Sequence, residues 1–281
     1  MTQAAALLRV TPSALSHRLR DLERRVGYTL FTRVGRRLRM TPAAERLRDA
    51  AVRTLPEIQR AIEDARQMSR GMRHVVRIGV ATYSAFHWLP GFVRHLQAHS
   101  PEVEIELVAD AARRPLAALE KGDIDLAIVP EGPERRDIRR TPLFEDELLL
   151  AMSPGHHLTA HAFIEAEDLI EETYLTYSMA IEPGHEHDRM MRPAGAYPRR
   201  LIKVELPEAI IELIAADMGV STLAAWVVVP HVAAGKLRTA RLTAEGIRQS
   251  WFAATRRRDD KDAPASRIAQ LLAGWWRPEA L

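Results

Sequence analysis

The sequence contains no cysteine. That excludes a disulfide framework, thiolate-ligated metal and a cysteine nucleophile. No apolar run approaches the roughly 20 residues a membrane helix needs. The opening MTQAAALLRV offers only AAALL, too short for the core of a secretory leader, so a cytoplasmic protein is expected. G-x-S-x-G, G-x-G-x-x-G, a phosphate-binding loop and H-E-x-x-H do not occur. With no nucleophile–base set in view, no enzymatic activity and no cofactor are expected. Asp123 and Asp125 share a face at a strand start, but without a partner base they are poor evidence for acid–base chemistry.

Lysine is absent from the first 73 residues, which carry 16 Arg and only 7 acidic residues, a charge of +9; the remainder holds 24 basic and 30 acidic residues, a charge of −6. A basic head on an acidic body implies an anionic partner for the head alone. A chain of 281 residues can bury a real core and accommodate one to three domains.

In the head, TQAAALLRV is composed of strong helix formers. Thr11 can cap a second helix with Pro12 at its first position, where a missing N–H costs nothing. Leu15, Leu19, Leu22 and Val26 form the stripe of a buried face, and Gly27 ends the helix. Two helices joined by a short break make a helix-turn-helix, whose second helix enters the DNA major groove. Thr11, Ser13, Ser16, His17 and Arg20 are its candidate contacts to base edges or phosphates, while Arg18, Arg24 and Arg25 suit phosphates or solvent. The same polar face also suits an ordinary solvated helix. LFTRVGRRLRM reads as strand, turn at Gly35 and return strand, a cationic wing with Arg33, Arg36 and Arg37 available to the DNA backbone or minor groove.

The order AAALLRVTPSALSHRLRDLERRVGYTLFTR, then RRLRMTPAAERL, resembles the winged helix-turn-helix of LysR-type transcription regulators over about 45 residues. Pro12 stands where that family often has Gln, and Ala44 where it usually has Gly. Family members also carry a helix before the AAALL segment, so a start upstream of Met1 is expected.

Thr41 and Pro42 begin a linker helix. Leu47, Ala51, Leu55, Ile58, Ile62 and Ala65 recur at spacings of three and four, a coiled-coil seam, or else a face packed on the chain's own core. Pro56 would break or kink such a helix in isolation, and a kink is tolerable where a partner helix holds both halves. The resemblance implies dimerisation through this helix, which pairs two heads for an interrupted palindrome in double-stranded DNA, as a homodimer or homotetramer.

From Gly71 onward strands alternate with helices, the mark of a parallel sheet covered on both faces. Two such units follow one another. The expected fold class is an α/β effector domain of two Rossmann-like lobes, preceded by the winged helix-turn-helix and the linker helix. Expected boundaries are 1–41 for the head, 42–70 for the linker and 74–281 for the body. Lobe I takes about 74–150 plus 250–281, and lobe II about 151–249. Ligands in such sheets sit beyond the carboxyl ends of strands. Three loops fall there: ATYS at 81–84, TYS at 176–178 and VST at 220–222. Thr82, Ser84, Thr176 and Thr222 are thus candidate effector contacts, each equally able to serve as a plain helix cap. GDIDLAIV, LLLAMSPGHHL and MGVSTL extend the resemblance over the body. LPEI, HWLPGF, RMMRPAGAYP and AADMGVSTLAAWVV narrow it to the branch that senses homocysteine in methionine biosynthesis. The effector this implies is a small sulfur amino acid.

The histidines of GHH at 155–157, with His161, and of HEH at 185–187 read as solvated loops, so no metal site is expected. Met190 with Met191, and Trp275 with Trp276, read as packing. A two-lobed small-molecule binder without a DNA role is the alternative, but it leaves the +9 head unexplained.

Overall fold

A computed structural model describes residues 2–35, 37–69, 74–81, 86–177, 185–204 and 206–276. The chain separates into two compact units, Met1–Arg60 and Ala61–Leu281.

The first unit opens with α1 (Thr2–Leu7) and α2 (Pro12–Val26). The Thr11 side chain accepts the Ala14 N–H at 3.1 Å, and Pro12 occupies the first turn. Gly27 closes α2 at φ 84°, returning its N–H to the Glu23 carbonyl at 2.9 Å. That left-handed conformation is what glycine supplies. The expected buried stripe is shallower than its periodicity suggests. Leu15, Leu19 and Val26 are half-buried and Leu22 is 42 % exposed. The strands β1 (Phe31–Val34) and β2 (Arg37–Met40) pair antiparallel around Gly35 at φ 61°. The Glu23 carboxylate accepts the N–H groups of Leu30 (2.7 Å) and Phe31 (3.2 Å), fixing the root of this wing to α2. Thr41 donates to the carbonyls of Thr29 and Leu30 and accepts the Ala44 N–H at 3.2 Å. It therefore joins the wing to α3 (Pro42–Ser69). The helix α3 runs on through Pro56: 28 residues form one helix. One lost backbone hydrogen bond does not outweigh the flanking turns, rich in strong helix formers.

The second unit begins β3 (His74–Val80), α4 (Leu89–His99), β4 (Val103–Leu107), α5 (Pro115–Lys121) and β5 (Leu126–Pro130), with β3 parallel to both neighbours. There follow β6 (Ile138–Met152), β7 (Phe163–Ile164), β8 (Thr173–Thr176), α6 (Arg192–Ala194), β9 (Arg200–Lys203), α7 (Pro207–Ala215), β10 (Ser221–Ala224), α8 (Ala225–Ala233), β11 (Arg238–Leu242), β12 (Ile247–Arg256) and α9 (Pro264–Trp275). The main sheet runs β4-β3-β5-β12-β6-β11-β7, with β10 also on β6; β8 and β9 form a small parallel pair.

The two expected lobes are present, but joined through strands. From Ile138 to Leu148, β6 pairs with β12; from Leu148 to Met152 it pairs with β10 and β11. One strand thus serves both lobes, and so does its partner β12. The two crossings between lobes expected near 150 and 250 lie within β6 and β12.

The junction is aromatic. All five tryptophans of the chain lie in one connected cluster with Phe92 and Phe144. Phe144 of β6 stacks on Trp276 at 4.5 Å and meets Trp226 of α8 edge-on at 5.5 Å. Trp226 contacts Trp251 of β12 at 5.1 Å, and Trp88 contacts Trp276 at 5.2 Å. Such ring pairs stabilise beyond the area they bury. Asp125 is structural: it accepts from Arg256 (3.1 Å) and from the Arg77 N–H (3.1 Å). Burial pulls the Arg256 pKa down, but Asp259 and Asp125 outweigh it and raise it overall.

Candidate DNA-reading helix and effector cleft

On α2 the expected contact residues divide by what already engages them. Ser13 and His17 are exposed, and Arg20 is exposed with only a long 3.4 Å bond from Nε to the Ser16 carbonyl. His17 Nδ1 lies 3.0 Å from Asp21, which also pairs with Arg24. The Ser16 hydroxyl donates to the Pro12 carbonyl at 2.9 Å, and the Thr11 oxygen is used in capping. Both hydroxyls retain acceptor capacity, but their first role is to hold the helix. Arg33 is exposed on β1, opposite Leu38. The backbone of Arg37 pairs with Val34; Arg36 lies outside the described residues. Glu23 and Thr41 were not expected as functional positions. Their signal was an acidic residue one turn before Gly27 and a threonine beyond the wing, and only the fold shows which N–H groups they serve.

In the body, Thr82 and Ser84 lie outside the described residues. Val220 bridges Tyr174 in parallel register, which places Thr176 of β8 level with Thr222 of β10. Ser221 and Thr222 were expected in a loop and instead lie in a strand paired to Ala151 and Leu150 of β6. The small-residue stretch is strand because β6 runs on to receive it. The Ser221 hydroxyl donates to the Leu175 carbonyl at 2.7 Å, a purely structural bond. Thr222 is 3 % exposed; its N–H reaches the Tyr174 hydroxyl at 3.2 Å, but its own hydroxyl has no hydrogen-bond partner among the described residues. Tyr174 donates onward to Glu186 at 2.9 Å.

The HEH stretch is not a solvated loop. His185 is buried beside Gln249, 3.3 Å away, and His187 begins a π-helix, His187–Met191, which buries both Met190 and Met191. Widened turns of this kind occur often at functional sites. A cavity of about 550 Å³ lies past the carboxyl ends of β3 and β5, bordered by Ala81, Val129 and Pro130 and by Arg113 and Arg114 before α5. It is of a size to take a small molecule. The two arginines bring positive charge to its rim, and a Glu120–Arg135 ion pair closes one side. Sequence reasoning missed Arg113 and Arg114, although two adjacent cations just before a helix-starting proline were visible.

Beside the junction, Asp146 accepts the Trp226 N–H at 3.3 Å, placing its carboxylate at the start of α8. Burial pushes its pKa up to about 6, against the backbone N–H groups of Glu147 and Trp226 and the Trp251 indole, which approaches without closing a hydrogen bond. His87, 6.5 Å from Trp226, is held below its usual pKa by burial and then by His231; His231 is lowered by burial and then by Lys236.

A DNA-reading winged helix-turn-helix followed by a two-lobed body with a small-molecule cavity defines a ligand-responsive transcription regulator. The chain matches the family described as "Bacterial regulatory helix-turn-helix protein, lysR family" over residues 1–45 and "LysR substrate binding domain" over residues 69–277. It belongs to the LysR family of DNA-binding transcription regulators, which are not enzymes. It is 32 % identical to the HTH-type transcriptional regulator MetR of Salmonella typhimurium over 263 residues, covering 94 % of this chain and 81 % of that one. The Escherichia coli MetR is 32 % identical over 256 residues, 91 % and 79 % of the two chains. The regulatory domain of MetR from N. meningitidis superimposes with a TM-score of 0.60 at 30 % identity, covering 71 % of this chain and 93 % of that one. Full-length CbnR in complex with its target DNA shares the fold, with a TM-score of 0.62 at 19 % identity over 100 % of this chain and 94 % of that one. No helix among the described residues is long and apolar enough to cross a membrane.

Proposed function

We propose that this cytoplasmic regulator reads an interrupted palindrome with two winged heads and responds to homocysteine, or a close sulfur amino acid, in control of methionine biosynthesis. The observation that carries the DNA half is the exposed face of α2, where Ser13, His17 and Arg20 stand on the solvent side within a first 73 residues of charge +9. Arg33, Arg36 and Arg37 of the wing add phosphate contacts. The apolar seam of α3 supports pairing. Leu55, Ile58 and Ile62 are 54 %, 48 % and 48 % exposed in the single chain, and a second copy would cover them in a dimer or tetramer.

The division into a head at 1–41, a linker at 42–70 and a two-lobed body at 74–281 belongs to this proposal. In the body, Thr222 and Thr176 on one lobe face a ligand whose carboxylate meets the positive rim of Arg113 and Arg114 on the other; Thr82 and Ser84 complete the set. Similarity to the MetR regulators supports the choice of effector. Binding favours one relative placement of the heads, a shift of population rather than a new contact with DNA.

The test is selection of duplexes from a random pool by the purified chain, then titration of the winner with and without homocysteine. A split inverted repeat, a steep salt dependence and a homocysteine-dependent change in affinity or footprint are expected. Arg20→Ala should weaken the selected site by about tenfold or more if the contact is bidentate to guanine. Selection of no sequence by a folded chain would sink the DNA half; a response to sulfur-free ligands alone would sink the effector.

A further inference from the structure

We propose a divalent transition-metal site on lobe II, formed by His156, His157 and Glu172 and suited to Zn²⁺. The two histidines are adjacent where a 3-10 turn, His157–Ala160, follows β6, and Glu172 stands just before β8. The fold brings the three together. His156 Nε2 lies 3.3 Å from one carboxylate oxygen of Glu172, and His157 Nε2 lies 3.2 Å from the other. The two rings are 4.6 Å apart and near-parallel, and the potential ligand atoms all fall within 4.8 Å of one another.

Those spacings match what an ion needs. Two ligand atoms at about 2.0–2.1 Å from a tetrahedral Zn²⁺ sit about 3.3 Å apart. Two neutral imidazoles and a carboxylate are also a zinc-type donor set, with a fourth position left for water. The side chains of His156 and Glu172 are only 10 % and 12 % exposed, while His157, at 70 %, forms the open side through which an ion enters.

One bond must change. His156 Nδ1 accepts the Leu158 N–H at 3.3 Å, while its Nε2 faces Glu172. A neutral imidazole that ligates through Nε2 carries its proton on Nδ1, so the Leu158 N–H must turn away. The long distance of that contact makes it easily given up. Metal would then tie the turn after β6 to the start of β8, the strand that ends at Thr176.

The experiment uses the full chain without an affinity tag, stripped of metal. We expect one Zn²⁺ per chain by calorimetry, the visible absorption of a four-coordinate ion when Co²⁺ is used instead, and a rise in Tm with Zn²⁺. His157→Ala removes an exposed side chain and should leave the fold intact, yet weaken Zn²⁺ binding by about tenfold or more. Glu172→Gln should do the same. His99→Ala is the control, because His95 and His99 stack on α4 at 4.0 Å and are the competing surface pair; it should change nothing. Absence of binding by the unaltered chain overturns the proposal. So does unweakened binding by both His157→Ala and Glu172→Gln, or loss confined to His99→Ala.

Discussion

The head and the body are held together by different physics. In the head, α2 has no fully buried residue, and Ala5, Leu30 and Ala44 are the small buried apolar set among its described residues. Leu7, Leu8 and Leu22 remain 86 %, 60 % and 42 % exposed. Its geometry is set by oriented polar clasps: Thr11 on α2, Glu23 on the wing, Thr41 on α3. In the body, a continuous core runs through both lobes, and every tryptophan of the chain belongs to it or packs against it. A packed junction keeps a two-lobed hinge unique while the cleft carries polar side chains. A lightly packed head instead leaves its helix face free for DNA and depends on hydrogen bonds for its shape. Substitutions should therefore register as lost packing in one region and as misplaced backbone in the other.

The largest effect should come from Trp226→Ala. Trp226 is fully buried and touches Phe144, Trp251 and Trp276. Its truncation should destabilise the body by about 3–5 kcal/mol in denaturant unfolding, whereas Leu22→Ala in the head should stay within about 1 kcal/mol. Comparable losses at the two sites would erase the contrast.

Asp146 sharpens it, because it is the polar group that the packed junction confines. Its pKa rises from 3.8 unfolded to about 6 folded. The unfolded chain therefore releases its proton first, and stability from this group is complete below the lower value and lost as pH rises through the upper one. Compared with Asp146→Asn, the unaltered protein should lose about 3 kcal/mol between pH 3 and pH 7. Parallel unfolding curves across that range would mean the carboxyl is solvated. In the head, Glu23→Ala strands the N–H groups of Leu30 and Phe31. It should cost about 1–3 kcal/mol and weaken DNA binding while leaving the body's unfolding transition in place. Unchanged DNA affinity would mean that the wing keeps its place without Glu23.

The same contrast explains what the sequence discloses. Thr11, Pro12 and Gly27 announce the α2 boundaries because caps are local chemistry, and strand–helix alternation announces the lobes because burial imposes periodicity. That β6 runs on to pair with β10 and β11 was hidden, since a strand entering a second layer keeps its period. The company of His156, His157 and Glu172 was hidden too, because residues from two separate segments meet only after folding. So was the strand character of Ser221 and Thr222. Small polar residues after a glycine suit a loop, and only pairing with β6 makes them strand. Among the site residues, Ser13, His17 and Arg20 were legible because an exposed helical face follows from spacing alone.

Thr222 should give the smallest effect on stability and the most specific one on function. Its hydroxyl is buried and lacks a hydrogen-bond partner among the described residues, which is unfavourable for a fold and useful for a ligand. Thr222→Val keeps the β-branched shape, the strand pairing with Leu150 and the N–H bond to Tyr174. If the hydroxyl serves the fold, the substitution should destabilise by about 1 kcal/mol or more. If it waits for an effector, Tm should hold or rise slightly and basal DNA affinity should stay the same. The homocysteine-dependent change in DNA binding should then fall several-fold. Measuring both on one preparation separates the roles. A lower Tm with an intact response assigns Thr222 to the core, and an unchanged Tm with a lost response assigns it to the cleft.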